Sequence, residues 1–288
     1  MTDDRVLFEV DADHRIATIT FNNPKQRNSY DAAMRDEIAR HLDTVADDDD
    51  ITVVLLRGAE GVFSTGADMN NAYGWYGEKD KQPAKSRPSQ RRRLTVDRKS
   101  FDFYHNFLGF PKVTVGEISG YALGGGFEMA LMTDISVIAR DTKIGMPATR
   151  FLGPALGSLH MFFHRLGPVL ARRMLLTGDI IEAGAVEHLG VFTDTCDADK
   201  VAARAQYWAQ KAAKMPADGV VIAKEAFRWV EQSQAYQGEE VASYMFHAYG
   251  TNLQFSPGEF NFVKTRAQHG TKEAFRLRDE HFHVPEPQ

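Results

Sequence analysis

Gly120-Tyr-Ala-Leu-Gly-Gly-Gly-Phe-Glu-Met-Ala-Leu-Met-Thr-Asp134 is the stretch whose reading decides the fold. It follows Val113 to Ile118, an apolar run of strand-forming residues, and reads as helical after the glycines. The first N–H groups of a helix lack intrahelical partners, and the helix dipole makes that end positive. Glycine there lets backbone approach a ligand closely. A negatively charged oxygen suits such a place, which is the logic of an oxyanion hole. Three glycines also make an ordinary tight turn that packs a helix close to a strand. A second segment bears on the choice. Phe63-Ser-Thr-Gly-Ala-Asp-Met69 also follows a buried strand, and it is placed to bring a second exposed N–H to the same oxygen.

Outward from these loops, Val6 to Val10 and Ile16 to Phe21 read as strands, and Met34, Ile38, Leu42 and Val45 recur at helical spacing. Ile51 to Leu56 is a continuous apolar strand, and Ile135 to Ala139 and Lys143 to Gly145 are shorter ones. Residues 70–100 read as a long surface excursion with a helix starting near its end, a length of loop that is usually functional or disordered. After Met161 the chain reads mainly as helices, carrying Met174, Leu175, Ile181 and Val186, then Val220, Ala223, Phe227 and Val230, then Tyr244 to Tyr249. Strand–helix alternation passing into helices predicts an α/β core over 1–200 and a helical C-terminal subdomain over 201–288.

Bulk properties narrow the function. The 288 residues are 43% hydrophobic and 25% charged, an ordinary globular composition. A net charge of −5 argues against a general nucleic-acid binder, whose affinity rests on cations. Cys196 is the only cysteine, so no intrachain disulfide forms and an ordinary packed thiol is expected. No basic-then-apolar leader and no run of about 20 apolar residues is seen, so a cytoplasmic protein without a membrane span is expected.

Four ordered motifs together resemble the crotonase (enoyl-CoA hydratase/isomerase) family. They are the two glycine loops, the entry Asn23-Pro24-Lys25-Gln26-Arg27-Asn28-Ser29, and Leu175-Leu-Thr-Gly-Asp-Ile180 followed by Ala183, Ala185, Gly190 and Val191. The similarity runs from about residue 6 to the C-terminus. The resemblance implies a spiral of ββα units with a helical C-terminal region that serves in trimerisation, assembled as homotrimers or dimers of trimers. It implies an acyl-CoA substrate, in fatty-acid or sterol side-chain metabolism, with no cofactor beyond the coenzyme A of the substrate and no metal. Ala67 and Gly125 match the family's oxyanion donors. Backbone around Lys25, Arg27 and Asn28, and around Ala67, Asp68, Met69 and Gly124, would line the coenzyme A channel.

Enoyl-CoA hydration needs a base for water and an acid for the α-carbon, and typical family hydratases use two carboxylates. Glu128 matches the first, one helical turn past Gly125; a packed or capping glutamate is the bland alternative. The second normally follows a proline 20 residues later, and here Pro147 is followed by Ala148. An alanine transfers no proton. Three explanations stand: Glu128 acts alone or with an ordered water; Arg150, Ser158 or His160 has moved into the vacancy; or the reaction is another that needs an enolate, such as double-bond shift, decarboxylation or hydrolysis. Ala148, Thr149, Arg150 and Ser158 are therefore candidate pocket residues. Arg150 would suit a second carboxylate on the substrate if it points inward, and a surface arginine if not. His160 and His164 share a helix face, but no third metal ligand is evident.

Lys79, Lys81, Lys85, Arg87, Arg91, Arg92, Arg93, Arg98 and Lys99 crowd one region. They read as a solvated loop or subunit contact, or as attraction for coenzyme A phosphates. Tyr73, Trp75, Tyr76 and Phe101 to Phe110 read as acyl-pocket walls. A 2-enoyl-CoA hydratase is the leading expectation, ahead of one-carboxylate chemistry and of a non-catalytic acyl-CoA binding protein.

Overall fold

The computed structural model describes residues 4–71, 89–150, 159–233 and 255–285. Strands β1 (Val6–Asp11) and β2 (Ile16–Phe21) form an antiparallel hairpin with Val6 opposite Phe21. Strands β3 (Val53–Gly58), β4 (Val113–Ile118) and β6 (Ile135–Ala139) then add in parallel, and β9 (Asp194–Cys196) completes a six-stranded sheet ordered β1-β2-β3-β4-β6-β9. A second sheet has the order β5-β7-β8, from Tyr121–Leu123, Lys143–Gly145 and Ile180–Glu182.

The continuous apolar run in β3 has a direct cause. Val54 and Leu56 enter the main core with Phe21, Phe63 and Phe127, while Val53 and Leu55 enter a smaller core on the opposite face. A parallel strand covered on both faces needs apolar residues at every position. Helix α1 (Ala32–Ala46) buries Met34, Ile38, Leu42 and Val45, the stripe its spacing predicts. Its N-cap Asp31 accepts from Met34 N at 3.0 Å and holds Arg5 in a bidentate pair at 2.8 and 3.2 Å.

Helix α2 (Gln90–Leu108) precedes β4, α3 (Gly125–Met132) follows β5, and α4 (Leu159–Thr177) is kinked at Gly167-Pro168. Helix α5 (Val201–Ala213) packs on one face of the six-stranded sheet. Its Val201, Ala205, Ala209 and Ala212 form the smaller core with β2, β3, β4 and β6, so the segment after residue 200 begins by covering the sheet. The small side chains let the helix lie close to the strands. Helix α6 (Ala217–Glu231) is tied to the core by Lys224, whose ammonium is 2.6–2.7 Å from the Asp134 carboxylate. Helices α7 (Phe262–His269) and α8 (Thr271–His281) end the described chain.

Sequence periodicity missed β8 and β9, which interrupt the stretch expected to be helical; each is only three residues long. Cys196 is buried in the smaller core, and burial pushes its thiol up from the ordinary value. Among the described residues, no helix is long and apolar enough to cross a membrane. Tyr73, Trp75, Tyr76, the basic residues at 79–87, Ser158 and Tyr244 to Tyr249 lie outside the described residues.

Candidate active site

Three chain segments are strapped together at the end of the parallel strands. Phe63 N donates to Ser119 O and Ser64 N to Tyr121 O, each at 2.9 Å, and Leu123 N returns a bond to Ser64 O at 3.0 Å. Phe63 anchors this strap edge-on against Phe21, with ring centroids 5.5 Å apart. Tyr30 then bridges the same loop: its N–H donates to Gly66 O at 2.9 Å and its carbonyl accepts from Asp68 N at 2.8 Å. In such a parallel bridge the residue between the two bonded neighbours, here Ala67, uses neither of its own peptide groups. Its N–H therefore faces away from Tyr30.

Gly66 brings this N–H to the second loop. Its φ is 83°, and a Cβ built there would lie 2.7 Å from both Gly125 N and Leu123 O. Only glycine permits that approach. On the other side, Gly124 N donates to Gly145 O at 3.0 Å, and Gly124 O accepts the N–H groups of Phe127 and Glu128 at 2.9 and 3.0 Å. Gly125 opens α3, so its N–H has no carbonyl one turn back to bond. Among the described residues, no bonded acceptor takes the N–H of Ala67 or of Gly125.

Glu128 lies one helical turn further and is 5% exposed. Two tyrosines that the sequence reading did not single out adjoin it. Tyr30, just before α1, and Tyr104, on α2, hydrogen-bond to each other through their hydroxyls. A Cβ at Gly125 would overlap both hydroxyl oxygens, so the pair sits directly against the first residue of α3. Burial raises both tyrosines above their ordinary pKa, and the Glu128 carboxylate adds to the rise. For Tyr104 the neighbouring Tyr30 adds more than Glu128 does. Arg35 on α1 donates to Ser100 on α2 at 2.8 Å, which ties the helix that follows Tyr30 to the helix that carries Tyr104. Tyr104 falls in the Phe101 to Phe110 run expected to wall an acyl pocket, but nothing in that run marks its hydroxyl as paired with Tyr30.

The other expected site residues divide. Lys25 and Arg27 are exposed, with the Arg27 guanidinium 5.0 Å from the Tyr121 ring centroid. Asn28 closes the same loop. Its side chain is fully buried and donates to Ala59 O and Val62 O while accepting from Asn23 N. Its backbone N–H bonds Asn23 O, and its carbonyl accepts from the Ser64 hydroxyl. Asn28 thus locks the loops together. Asp68 is also turned inward, capping the next turn by accepting from Asn70 N at 2.8 Å. Met69 O accepts from Arg266 on α7, so the C-terminal helices of the same chain reach this loop.

Ala148 sits in the single-turn helix Pro147–Arg150 directly after β7, half-buried against the main core. Gly145, three residues earlier, is the partner of Gly124, so position 148 belongs to the same corner of the fold. The Thr149 hydroxyl is buried without a hydrogen-bond partner among the described residues. Arg150 is turned elsewhere: its Nε donates to Thr177 O at 3.1 Å at the end of α4, and its head group approaches Asp279 and the Phe282 ring. Through those contacts the arginine joins α4 to α8. Among the described residues, no group of three His, Cys, Asp or Glu could hold a metal.

A family model described as enoyl-CoA hydratase/isomerase matches residues 11–272. The chain belongs to the enoyl-CoA hydratase/isomerase family. It is 28% identical over 273 residues to a probable enoyl-CoA hydratase, echA8, of Mycobacterium tuberculosis, covering 93% of this chain and 98% of that protein. It is also 28% identical over 234 residues to the 2,3-dehydroadipyl-CoA hydratase of Escherichia coli, covering 81% of this chain and 83% of that one. Among solved structures, an enoyl-CoA hydratase/isomerase from Xanthobacter autotrophicus superposes with a TM-score of 0.85 at 26% identity, covering 98% and 100% of the two chains. The mixed α/β architecture is therefore the crotonase fold, and membership places this hydratase/isomerase relative among enzymes.

Proposed function

We propose that this protein binds an acyl-CoA thioester and adds water to a 2-enoyl-CoA, holding the thioester oxygen between the N–H groups of Ala67 and Gly125. The observation that supports this reading is the close approach of the two loops at Gly66, each holding a main-chain amide, Ala67 and Gly125, that bonds no acceptor among the described residues, with a buried carboxylate one turn further on. Glu128 takes a proton from water, whose oxygen bonds to the β-carbon. The π electrons move toward the thioester oxygen, where the two amides stabilise the enolate. With alanine at 148, Glu128 returns the same proton to the α-carbon. Exposed Lys25 and Arg27 supply positive charge for the coenzyme A phosphates, and no separate cofactor takes part. Self-association as a homotrimer or dimer of trimers would cover apolar residues of α6, where Ile222, Phe227 and Trp229 are 70%, 59% and 71% exposed.

A second reading is favoured by Ala148. One carboxylate suffices to carry a proton between the α- and γ-carbons of an enoyl thioester, so isomerisation fits a site with a single acid. Both readings are tested by following the conjugated enoyl-thioester absorbance across a panel of 2-enoyl- and 3-enoyl-CoAs, with mass analysis of products. Hydration adds the mass of water; isomerisation leaves mass unchanged. Glu128→Gln is expected to lower the rate about 10²–10⁴-fold, the range for a general acid–base group, while acyl-CoA binding persists. No turnover on any chain length would remove the enzymatic reading.

A further inference from the structure

We infer that the Tyr30–Tyr104 hydroxyl pair is a third hydrogen-bond donor to the thioester oxygen, placed beside the Gly125 amide. The inference rests on the acyl-CoA reading above and adds a group to it. The two side chains come from segments 74 residues apart and are 2% and 7% exposed, yet their polar ends meet at one point. That point is the space a side chain on Gly125 would occupy, so both hydroxyl oxygens lie against the residue whose N–H faces the substrate. An oxygen accepting the Gly125 N–H would thus bond the same residue that the pair is packed against.

Hydrogen counting then matters. Two hydroxyls carry two hydrogens, and their mutual bond uses one. No other acceptor is bonded to either hydroxyl among the described residues. A buried O–H left without an acceptor is costly, so a ligand oxygen delivered to this spot gains the second hydrogen. The donor also suits the chemistry. Burial and the nearby Glu128 carboxylate hold both phenols in the neutral form, so the pair donates without adding a second negative charge near the enolate. Donation strengthens as charge moves onto the oxygen, so its effect is greater on the transition state than on the bound substrate.

The test uses the full-length protein and a chromophoric enoyl thioester, a 2,4-dienoyl- or cinnamoyl-CoA, whose absorption moves to longer wavelength when its carbonyl is polarised. Tyr30→Phe, Tyr104→Phe and the double variant are compared with the unaltered protein for the size of that shift, the dissociation constant, kcat, and thermal midpoint. The expected result is a shift at least halved in the double variant. With it, kcat falls about 10–100-fold, somewhat below the cost of removing a main-chain oxyanion donor, and KM changes little. A lower thermal midpoint with unchanged shift and kcat per folded molecule would mean a purely structural pair and would overturn the inference. So would an unchanged shift accompanied by a moved pH–rate profile, because the spare hydrogen would then serve Glu128. Absence of any shift in the unaltered protein on binding would reject the acyl-CoA reading itself, a result separable from the other two.

Discussion

Gly125→Ala puts the geometry of the hole under direct strain. The added methyl would overlap the hydroxyl oxygens of Tyr30 and Tyr104, both buried and fixed by α1 and α2. Forcing a carbon into such a place costs about 1–3 kcal/mol through displaced side chains and backbone. For a chain of this size that is roughly 2–12 °C in Tm, at about 2–4 °C per kcal/mol. The amide at 125 moves with its Cα, and losing one oxyanion donor costs about 2.7–4 kcal/mol, a fall of 10²–10³ in kcat. The structure also says how to relieve the strain. Without the hydroxyls, the nearest remaining atom is the Tyr30 Cζ, 3.1 Å from the new carbon, a contact eased by a few tenths of an ångström. In a Tyr30→Phe/Tyr104→Phe background, Gly125→Ala should therefore lower Tm by less than half as much. Thermal unfolding of the four proteins, followed by circular dichroism, measures the coupling. Equal Tm losses in both backgrounds would show that the hydroxyls do not occupy the Cβ position and would refute the reasoning.

Two further outcomes are expected. Ala148→Glu puts a carboxylic acid at the corner shared with Gly124 and Gly145, and hydration of 2-enoyl-CoA should rise by 10-fold or more; a rate at or below that of the unaltered protein would show that position 148 does not face the reacting carbons. His41 is pushed below its ordinary pKa by burial, then by Arg40, against the opposing pull of Glu37. Its folded pKa is thus depressed, so its contribution to stability is full above the unfolded value of about 6.5 and is lost as pH falls through the folded value. His41→Phe preserves the stack on Phe8, whose ring lies 4.4 Å away, and should lose less stability between pH 7.5 and pH 5.5 than the unaltered protein does; urea unfolding at the two pH values would reveal the opposite order if His41 stays charged when folded.

Much of this protein was legible in its residues because the deciding signals are local. The apolar runs of β2, β3 and β4 state their own burial, Met34 to Val45 state the buried face of α1, and the glycines at 66 and 124–126 state where backbone must approach backbone. Glu128 follows from helical spacing past the hole. Side-chain commitments were not legible, because they depend on which distant segments meet. That Ala59, Val62 and Asn23 use the whole side-chain amide of Asn28 could not be read from its own loop. Nor could the sequence show that Arg150 meets Thr177 and Asp279, which come from elements far along the chain. The alanines of α5 carried no sign that they would cover the sheet. Tyr30 and Tyr104 belong to different elements, and only the packing of α2 against α3 brings their hydroxyls to Gly125. Backbone conformation answers to neighbours along the chain, whereas a polar side chain's partner is chosen by tertiary packing, so the sequence alone determined the fold and its two glycine loops, and the assembled structure decided which polar groups surround them.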